Sequence, residues 1–354
     1  MTINVGLVGY GLSGAVFHAP FIEQVEGLAL TTVLSSNPEK VHKDYPDVAV
    51  VPTLDRLLDD KNISLVVIST PNDTHYAFTK QAIEAGKHVI VEKPFMIHTA
   101  DADELIELAR QRNVMLSVYQ NRRWDNDFLT IRHLLQTGLL GEVATYEVHY
   151  DRYRPIVIDR WRERPIPGSG ILYDLGAHLI DQALFLFGTP DSVWADVQAQ
   201  RAGAKTDDYF HLVLGYPRRR VILHAGSLVR EPGPHFQIHG SKGSFIKYGL
   251  DSQEDALKAG KRPGDPGWGE DTEKDYGELT VDAGALAVKG KVKTLTGGYE
   301  RYYQGIVEAL TRGKPAPVAA EDGRNTIQVI ECALQSQKEQ RVVTFQAQGE
   351  VGHE

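Results

Sequence analysis

A glycine-rich segment near the start of the chain constrains the fold more than any other feature of its 354 residues. The segment has the sequence Gly9-Tyr10-Gly11-Leu12-Ser13-Gly14. It directly follows the apolar run Ile3–Val8 and precedes a stretch in which apolar residues recur at helical spacing. A strand, a glycine turn and a helix in this order are typical of the first half of a βαβ unit. The segment therefore predicts an α/β fold with a parallel sheet.

The rest of the first third of the chain continues this alternation. Short runs rich in Val, Ile and Leu predict strands buried on both faces, at residues 28–34, 65–69, 88–91 and 115–118. The intervening stretches have helical spacing, at residues 13–24, 38–45, 74–85 and 100–112. We therefore expect residues 1–120 to form a doubly wound parallel sheet of the Rossmann type, which binds dinucleotides.

The pattern changes after about residue 120. Alternating polar and apolar runs, for example at residues 143–151, 209–216 and 221–227, predict a mostly antiparallel sheet. Helices are predicted at residues 127–136, 172–187, 299–311 and 323–338, and a last strand at 342–345 before a frayed tail from Gln346. The polar segment 251–282 is predicted to be a long surface loop. Residues 121–354 are thus expected to form a second domain of α/β class.

Composition excludes several classes of protein. The net charge is −9, which makes nucleic acid and an anionic membrane poor partners. No stretch approaches the roughly 20 apolar residues of a membrane span, and the N-terminus lacks the pattern of a signal peptide. The single cysteine, Cys332, excludes an internal disulfide and a cysteine-based zinc site and fits a reducing compartment. A cytoplasmic location is expected.

The glycine segment also predicts a phosphate site. Gly9 permits the tight turn, Gly11 lets a pyrophosphate approach the backbone, and Gly14 allows close packing of helix on strand. The alternative is a glycine turn that binds no ligand. The second strand ends in Ser35 and Ser36 rather than in the acidic residue that favours NAD. We therefore expect NADP or NAD as the cofactor, with NADP favoured, although serines could simply end the strand.

Two further clusters follow predicted strands and so lie at the ligand-binding edge of such a sheet. The first contains Thr70, Pro71 and Asn72, with His75 in the next helix, and is expected to line the cofactor. The second is Glu92-Lys93-Pro94. A lysine beside a nicotinamide can stabilise the negative charge that develops on a substrate oxygen. The alternative for the Glu-Lys pair is a solvated loop.

A third cluster lies on the helix predicted at residues 172–187. Asp174 and His178 are four residues apart and share a helix face, with Asp181 three residues further on. A histidine beside a carboxylate is a general base with a fixed tautomer. The alternatives are a metal site, for which the sequence suggests no third ligand, and a structural hydrogen-bond network. No metal ligand set is predicted.

Together these motifs resemble the glucose–fructose oxidoreductase, inositol dehydrogenase and MocA family, and the resemblance covers nearly the whole chain. Three local stretches resemble its scyllo-inositol dehydrogenase branch: residues 121–125, 159–163 and 209–211. The resemblance implies a Rossmann domain followed by an α/β domain with a large, open, mainly antiparallel sheet, which often forms the oligomer interface. A homodimer or homotetramer is therefore expected.

The resemblance also implies residue roles. Lys93, Asp174 and His178 are expected to be catalytic. Cofactor contacts are expected from a larger set: Gly9, Gly11, Leu12, Ser13, Gly14, Ser35, Ser36, Thr70, Pro71, Asn72, His75, Glu92, Lys93, Asn121, Arg122, Trp161 and Arg162. The expected activity is NAD(P)-dependent oxidation of a secondary alcohol in a cyclitol, polyol or sugar. The alternatives are a dinucleotide-binding regulator without turnover and a glycosidase with tightly bound NAD.

Overall fold

A computed structural model describes residues 2–346 of the chain, which form two compact units. The first unit contains the residues up to Trp124 together with Gln253–Trp268 and Gly298–Arg324. The second contains Asp125–Ser252, Gly269–Gly297 and the residues from Asn325 onward. The domain boundary at residue 120 stays a prediction. That prediction treated each domain as one continuous stretch, and it did not anticipate that two later segments belong to the first unit.

The first unit is built on a six-stranded parallel sheet. Its strands are β1 (Ile3–Val8), β2 (Leu28–Leu34), β3 (Ala49–Val51), β4 (Ile63–Ile68), β5 (His88–Glu92) and β6 (Leu116–Tyr119). They pair in the order β3-β2-β1-β4-β5-β6, which is the doubly wound Rossmann topology. The predicted Rossmann sheet is therefore confirmed. The sequence analysis missed β3, which has three residues and so too little periodicity to detect.

Helices flank this sheet because each carries an apolar stripe that must be buried. They are α1 (Ala19–Gln24), α2 (Pro38–Asp44), α3 (Leu54–Leu58), α4 (His75–Glu84), α5 (Thr99–Arg112), α8 (Gln253–Lys258) and α9 (Glu300–Arg312). The core contains the central strands, with Val5, Val67 and Ile90 fully buried. Trp268 and Tyr299 of the later segments belong to the same core.

The second unit is built on a nine-stranded sheet. Its strands are β7 (Val143–His149), β8 (Ser192–Gln198), β9 (Tyr209–Gly215), β10 (Arg220–Gly226), β11 (Phe236–Gly240), β12 (Gly243–Lys247), β13 (Gly277–Ala283), β14 (Leu286–Val292) and β15 (Val343–Thr344). The order is β14-β13-β12-β11-β7-β10-β9-β8-β15. All neighbours are antiparallel except β7 and β10. The predicted large, mainly antiparallel sheet is confirmed.

One face of this sheet is buried and the other is half-buried. Tyr146, Leu223 and Phe236 of neighbouring strands are fully buried, whereas the alternate residues are partly exposed. The helices of this unit are α6 (Asn126–Gln136) and α7 (Ala177–Phe187), and α10 (Ala320–Glu339) begins in the first unit and continues in the second. None of the helices among residues 2–346 is both long enough and apolar enough to span a membrane.

The structure corrects the prediction of a long surface loop at residues 251–282. This segment contains α8 and strand β13, which pairs with both β12 and β14. The polar composition of the whole segment concealed this strand, in which Leu279, Val281 and Ala283 alternate with polar residues but are half-buried or exposed. The frayed tail predicted from Gln346 lies, apart from Gln346 itself, outside the described residues.

Candidate functional site

The glycine segment makes the tight turn that the sequence predicts. Gly9 has a φ of 97°, a conformation that side chains disfavour, and its N–H donates to the Leu34 carbonyl over 3.1 Å. The hydroxyl of Ser69 donates to the Gly9 carbonyl over 3.0 Å. A Cβ atom on Gly14 would collide with that same Gly9 carbonyl oxygen. Gly9 and Gly14 are therefore required by the protein itself.

Gly11 differs from these two glycines. A Cβ atom built on Gly11 would meet no heavy atom of residues 2–346 within 4 Å, its chain neighbours aside. Its φ also lies outside the left-handed region, so folding does not demand glycine at this position. An open position between two constrained glycines fits a loop whose backbone is approached by a bound pyrophosphate. The loop therefore fits the phosphates of a dinucleotide.

The end of β2 carries hydroxyls and an ammonium group. Ser35 is half-buried and its hydroxyl accepts from the Asn37 N–H over 3.1 Å, whereas Ser36 is exposed. Lys40 begins its helix beside them and donates from Nζ to the Tyr10 carbonyl over 2.8 Å. This contact holds a positive charge between the second strand and the glycine loop. Lys40 is not among the cofactor contacts predicted from the sequence.

The segment after β4 is held by hydrogen bonds within the loop. The Thr70 and Thr74 hydroxyls are 2.5 Å apart, Pro71 is exposed, and Asn72 is buried. His75 is fully buried, with Nδ1 at 3.0 Å from the Pro94 carbonyl and Nε2 at 3.0 Å from the Thr70 carbonyl. Burial lowers the pKa of His75 despite these two carbonyls. Its ring therefore ties two loops together, and its cofactor contact stays a prediction.

Glu92 links the glycine loop to the Glu-Lys-Pro turn. One carboxylate oxygen accepts from the Ser13 hydroxyl and lies 2.9 Å from His18 Nε2, and the other accepts from the Lys93 N–H over 2.9 Å. Burial alone would raise the pKa of Glu92. The hydrogen bonds from His18 and Ser13 and the charge of Lys93 outweigh burial and lower that pKa to about 2. Glu92 is therefore an anion that positions both loops.

The network continues into the core through residues that sequence reasoning missed. His18 is fully buried, and its Nδ1 lies 2.6 Å from the hydroxyl of Tyr303. The ring of Tyr119 lies against the His18 ring, with centroids 4.4 Å apart. Tyr303 is 285 positions from His18 in the chain, so no local pattern could have predicted the pair.

Lys93 follows directly and is half-buried, and its peptide bond to Pro94 is cis. Asn121 and Arg122 lie in a short helical turn after β6, Asn121–Trp124, and both are buried. Arg122 pairs with Glu254 at 2.5 Å. Burial would raise the pKa of Glu254, but the charges of Arg122 and Lys258 lower it to about 2. The guanidinium of Arg122 is thus engaged by a carboxylate of the first unit.

In the second unit, Asp174 and His178 lie at the start of the predicted helix but not on a uniform α-helix. Residues Leu172–Gly176 form a wide helical turn with i→i+5 hydrogen bonds, and α7 continues from Ala177. Such wide turns are frequent at functional sites because they reorient side chains. Asp174 is 24% exposed on its side chain, whereas His178 and Asp181 are buried. Asp174 is therefore accessible, and His178 lies deeper.

A buried carboxylate holds the start of this turn. Asp207 accepts the Leu172 N–H over 2.7 Å, and burial raises the pKa of Asp207 to about 6. Gly170 makes this approach possible, because its φ is 90° and a Cβ atom there would overlap the Asp207 carboxylate. The pair sets the position of Asp174, whose N–H bonds the Gly170 carbonyl over 3.1 Å.

Asp174 opens onto a cavity lined by arginines. Arg162 lies with Nε 3.4 Å from the Asp174 carboxylate, and its guanidinium lies over the ring of Trp161, 4.5 Å from the centroid. The cavity is also lined by Arg152, Arg154 and Arg160. The carboxylates of Glu163, Asp207 and Asp208 line it as well, and a surface that mixes donors and acceptors in this way suits a ligand with many hydroxyl groups. Sequence reasoning identified Trp161 and Arg162 but missed Arg152 and Arg154.

Comparisons with known proteins agree with this architecture. Residues 3–120 match the family model for the NAD-binding Rossmann fold of the GFO/IDH/MocA oxidoreductases, and residues 132–345 match the model for their C-terminal alpha/beta domain. The chain is 47% identical to scyllo-inositol 2-dehydrogenase (NADP(+)) IolW of Bacillus subtilis, over 98% of this chain and 96% of that protein. It is 48% identical to the uncharacterized oxidoreductase YdgJ of Escherichia coli, over 95% and 96%.

Solved structures give the same result. The Bacillus subtilis protein yvaA matches with a TM-score of 0.95 and 47% identity, over 98% of this chain and 99% of that chain. An oxidoreductase from Bacillus cereus matches with a TM-score of 0.91 and 35% identity, over 98% and 99%. Since both domains match their models and the relatives are covered almost end to end, the chain belongs to the GFO/IDH/MocA oxidoreductase family.

Proposed function

We propose that this protein is an NADP-preferring dehydrogenase that transfers a hydride between the nicotinamide and a secondary alcohol of a cyclitol, polyol or sugar. A scyllo-inositol-type substrate is the leading candidate, because the Bacillus subtilis relative with 47% identity is named for that substrate. When bound, the nicotinamide supplies the redox chemistry, and the protein supplies binding, orientation and proton transfer.

The observation that carries the proposal is the junction at Glu92. Its carboxylate accepts from Ser13 of the glycine loop and from the backbone of Lys93. A loop that fits a dinucleotide pyrophosphate and a lysine suited to an alkoxide are thus held by one side chain. A protein that only binds a dinucleotide has no need of a lysine in this arrangement.

The proposed proton transfer uses Lys93, His178 and Asp174. Lys93 hydrogen-bonds the reacting oxygen and stabilises the negative charge that develops there. His178 takes the hydroxyl proton in oxidation and returns it in reduction. Asp174, with Arg162 against it, accepts a hydrogen bond from a neighbouring substrate hydroxyl and so orients the ring. A site built on such polar contacts rejects analogues that lack the hydroxyl.

Cofactor preference rests on the end of β2. Ser35 and Ser36 stand where an acidic residue would repel a 2′-phosphate, and the Lys40 ammonium is held nearby by the Tyr10 carbonyl. The other cofactor contacts predicted from the sequence, including those of Asn121 and Trp161, are part of this proposal. We also propose a homodimer or homotetramer in the cytoplasm, which the single cysteine fits because it needs no oxidising compartment.

A substrate screen tests the proposal. The purified chain is incubated with inositols and aldoses, each with NADP and with NAD, and the reduced cofactor is followed by absorbance. We expect a cyclitol, with scyllo-inositol first, to give the highest kcat/KM, and NADP to exceed NAD. Oxidised product should form in a 1:1 ratio with NADPH. Oxidation of no cyclitol, polyol or sugar would contradict the proposal.

The role of Lys93 is tested by substitution. Lys93→Ala should lower kcat by about 10²–10⁴-fold, because the developing charge loses its partner. Lys61→Ala is the matched control, since Lys61 is an exposed lysine of the same unit. Turnover of the Lys93 variant near that of the wild type would rule out the proposed role.

A further inference from the structure

Three side chains meet on the half-buried face of the second sheet, away from the helix that carries Asp174. His149 ends β7, and Asp151 follows two residues later on the same side of the chain. His224 of β10 is the direct parallel partner of His149, and their rings are 4.7 Å apart between centroids. The sheet register thus places two imidazoles and a carboxylate together. Neither the expected dehydrogenase chemistry nor the packing of the core uses them.

Two of the separations within this group are close to the edge of a coordination tetrahedron. His149 Nδ1 lies 3.2 Å from one Asp151 oxygen, and His224 Nε2 lies 3.4 Å from the other. All three ligand atoms lie within 4.8 Å of one another. With zinc bonds of about 2.0–2.2 Å, neighbouring ligands in a tetrahedron are about 3.4 Å apart.

A second carboxylate, that of Glu147, contacts the other ring nitrogen of His149. Glu147 lies 2.7 Å from His149 Nε2, on the side of the ring opposite to Asp151. Glu147 accepts the proton on Nε2 and Asp151 accepts the proton on Nδ1, and these hydrogen bonds outweigh burial and raise the pKa of His149. A bound ion takes the place of the Nδ1 proton. A carboxylate that fixes a ligating histidine in this way is a regular feature of metal sites. Asp151 is itself fixed, since it accepts the Gly226 N–H over 3.1 Å.

The electrostatics of the group also fit a cation. Burial lowers the pKa of His224 to about 4. The charge of Asp151 opposes this shift, and the neighbouring side chains of His149 and His211 add to it. His211 lies directly opposite His224 in the antiparallel pair, with ring centroids 5.6 Å apart. The side chains of His149 and His224 are 24% and 13% exposed, so an ion can reach them.

We propose that His149, Asp151 and His224 form a binding site for one divalent transition-metal ion of the zinc class. Two nitrogens and one carboxylate oxygen are the donor set that Zn²⁺, Co²⁺ and Ni²⁺ prefer, and they disfavour Mg²⁺ and Ca²⁺. Water or His211 completes the coordination. Binding displaces the proton between His149 Nδ1 and Asp151 to solvent, so that affinity falls as the pH is lowered.

The test uses Co²⁺ as a spectroscopic probe on the full chain, free of affinity tag and stripped of metal by a chelator. We expect visible absorption bands of four- or five-coordinate Co²⁺ that saturate at one equivalent per chain and are displaced by Zn²⁺. Asp151→Asn and His224→Ala should abolish the bands. Glu147→Gln keeps all three ligands and should weaken binding by about 10–100-fold.

His239→Ala is the matched control, because His239 is an exposed histidine on β11 whose partner in β7 is Thr145 of the same sheet face. Its Co²⁺ bands should equal those of the wild type. Circular dichroism of each variant checks that the sheet is intact, and His149→Ala provides a second ligand deletion. Absence of saturable bands in the wild type, or bands that persist in both histidine deletions, would overturn the proposal.

Discussion

At the scale of single residues, Glu92 has the largest structural role in the candidate site. It is a nearly buried carboxylate whose partners come from the glycine loop, the first helical turn and the lysine turn. Removing the charge leaves His18 facing an uncharged group in the core. We expect Glu92→Gln to lower the free energy of unfolding by about 3 kcal/mol at neutral pH, as for other broken buried pairs.

This effect depends on pH in a defined direction. The pKa of Glu92 is lowered from 4.5 to about 2, so its stabilising contribution is complete above pH 4.5 and is lost as the pH falls toward 2. The gap in Tm between wild type and Glu92→Gln should therefore narrow between about pH 6 and about pH 3. Glu104→Gln is the control, because its carboxylate pairs with Lys80 on the solvent-exposed surface, where screening makes an ion pair weak. A gap that stays constant over this range would contradict the account.

We propose that cofactor choice depends on Lys40. Its ammonium is held at the end of β2 by the Tyr10 carbonyl, where a 2′-phosphate is expected. Lys40→Ala should lower the ratio of kcat/KM for NADP to that for NAD by about tenfold, the value of one charge-assisted hydrogen bond. Lys43→Ala, an exposed lysine on the same helix, is the control and should leave the ratio nearly unchanged. An unaltered ratio in the Lys40 variant would exclude this role.

At the scale of elements, the glycine loop separates a folding requirement from a binding requirement. An added methyl group on Gly14 would strike the Gly9 carbonyl, whereas one on Gly11 would enter open space. Gly14→Ala should therefore lower stability by about 1–3 kcal/mol. Gly11→Ala should leave Tm nearly unchanged and raise the KM for the cofactor at least about tenfold, or 1.4 kcal/mol.

The two alanine variants control for each other, because they make the same chemical change three residues apart. Thermal unfolding without cofactor gives the Tm of each variant. Initial rates over a range of cofactor concentrations give the KM of each variant for the cofactor. A Gly11 variant that binds the cofactor normally would show that no pyrophosphate contacts this part of the loop.

At the scale of the whole molecule, the sequence predicts features that depend on a periodic pattern or on residues close together in the chain. Strands β1 and β2 have the predicted bounds because buried parallel strands are continuous apolar runs. The glycine loop and the Glu-Lys-Pro turn were identified from adjacent residues. The pairing of His18 with Tyr303 and of Arg122 with Glu254 joins positions 285 and 132 residues apart, and no local pattern encodes such contacts. The strand β13 was missed because the surrounding polar segment concealed the short alternation of Leu279, Val281 and Ala283 with polar residues.

The two compact units divide the proposed chemistry between them. The first holds the dinucleotide loop and Lys93, and the second holds the carboxylate and histidine that we propose to bind the substrate hydroxyls. The two family models match residues 3–120 and 132–345, so the family is identified over nearly the whole chain. The central claim is that these parts together move a hydride from a carbinol carbon.

Isotope transfer tests this claim most directly. The best substrate of the screen, scyllo-inositol by expectation, is prepared with deuterium on its carbinol carbons and incubated with NADP and the enzyme. The account predicts that NADPH carries one deuterium at C4 of the nicotinamide for each ketone formed, as read by NMR and mass spectrometry. NADPH without deuterium, or ketone formed without NADPH, would contradict it.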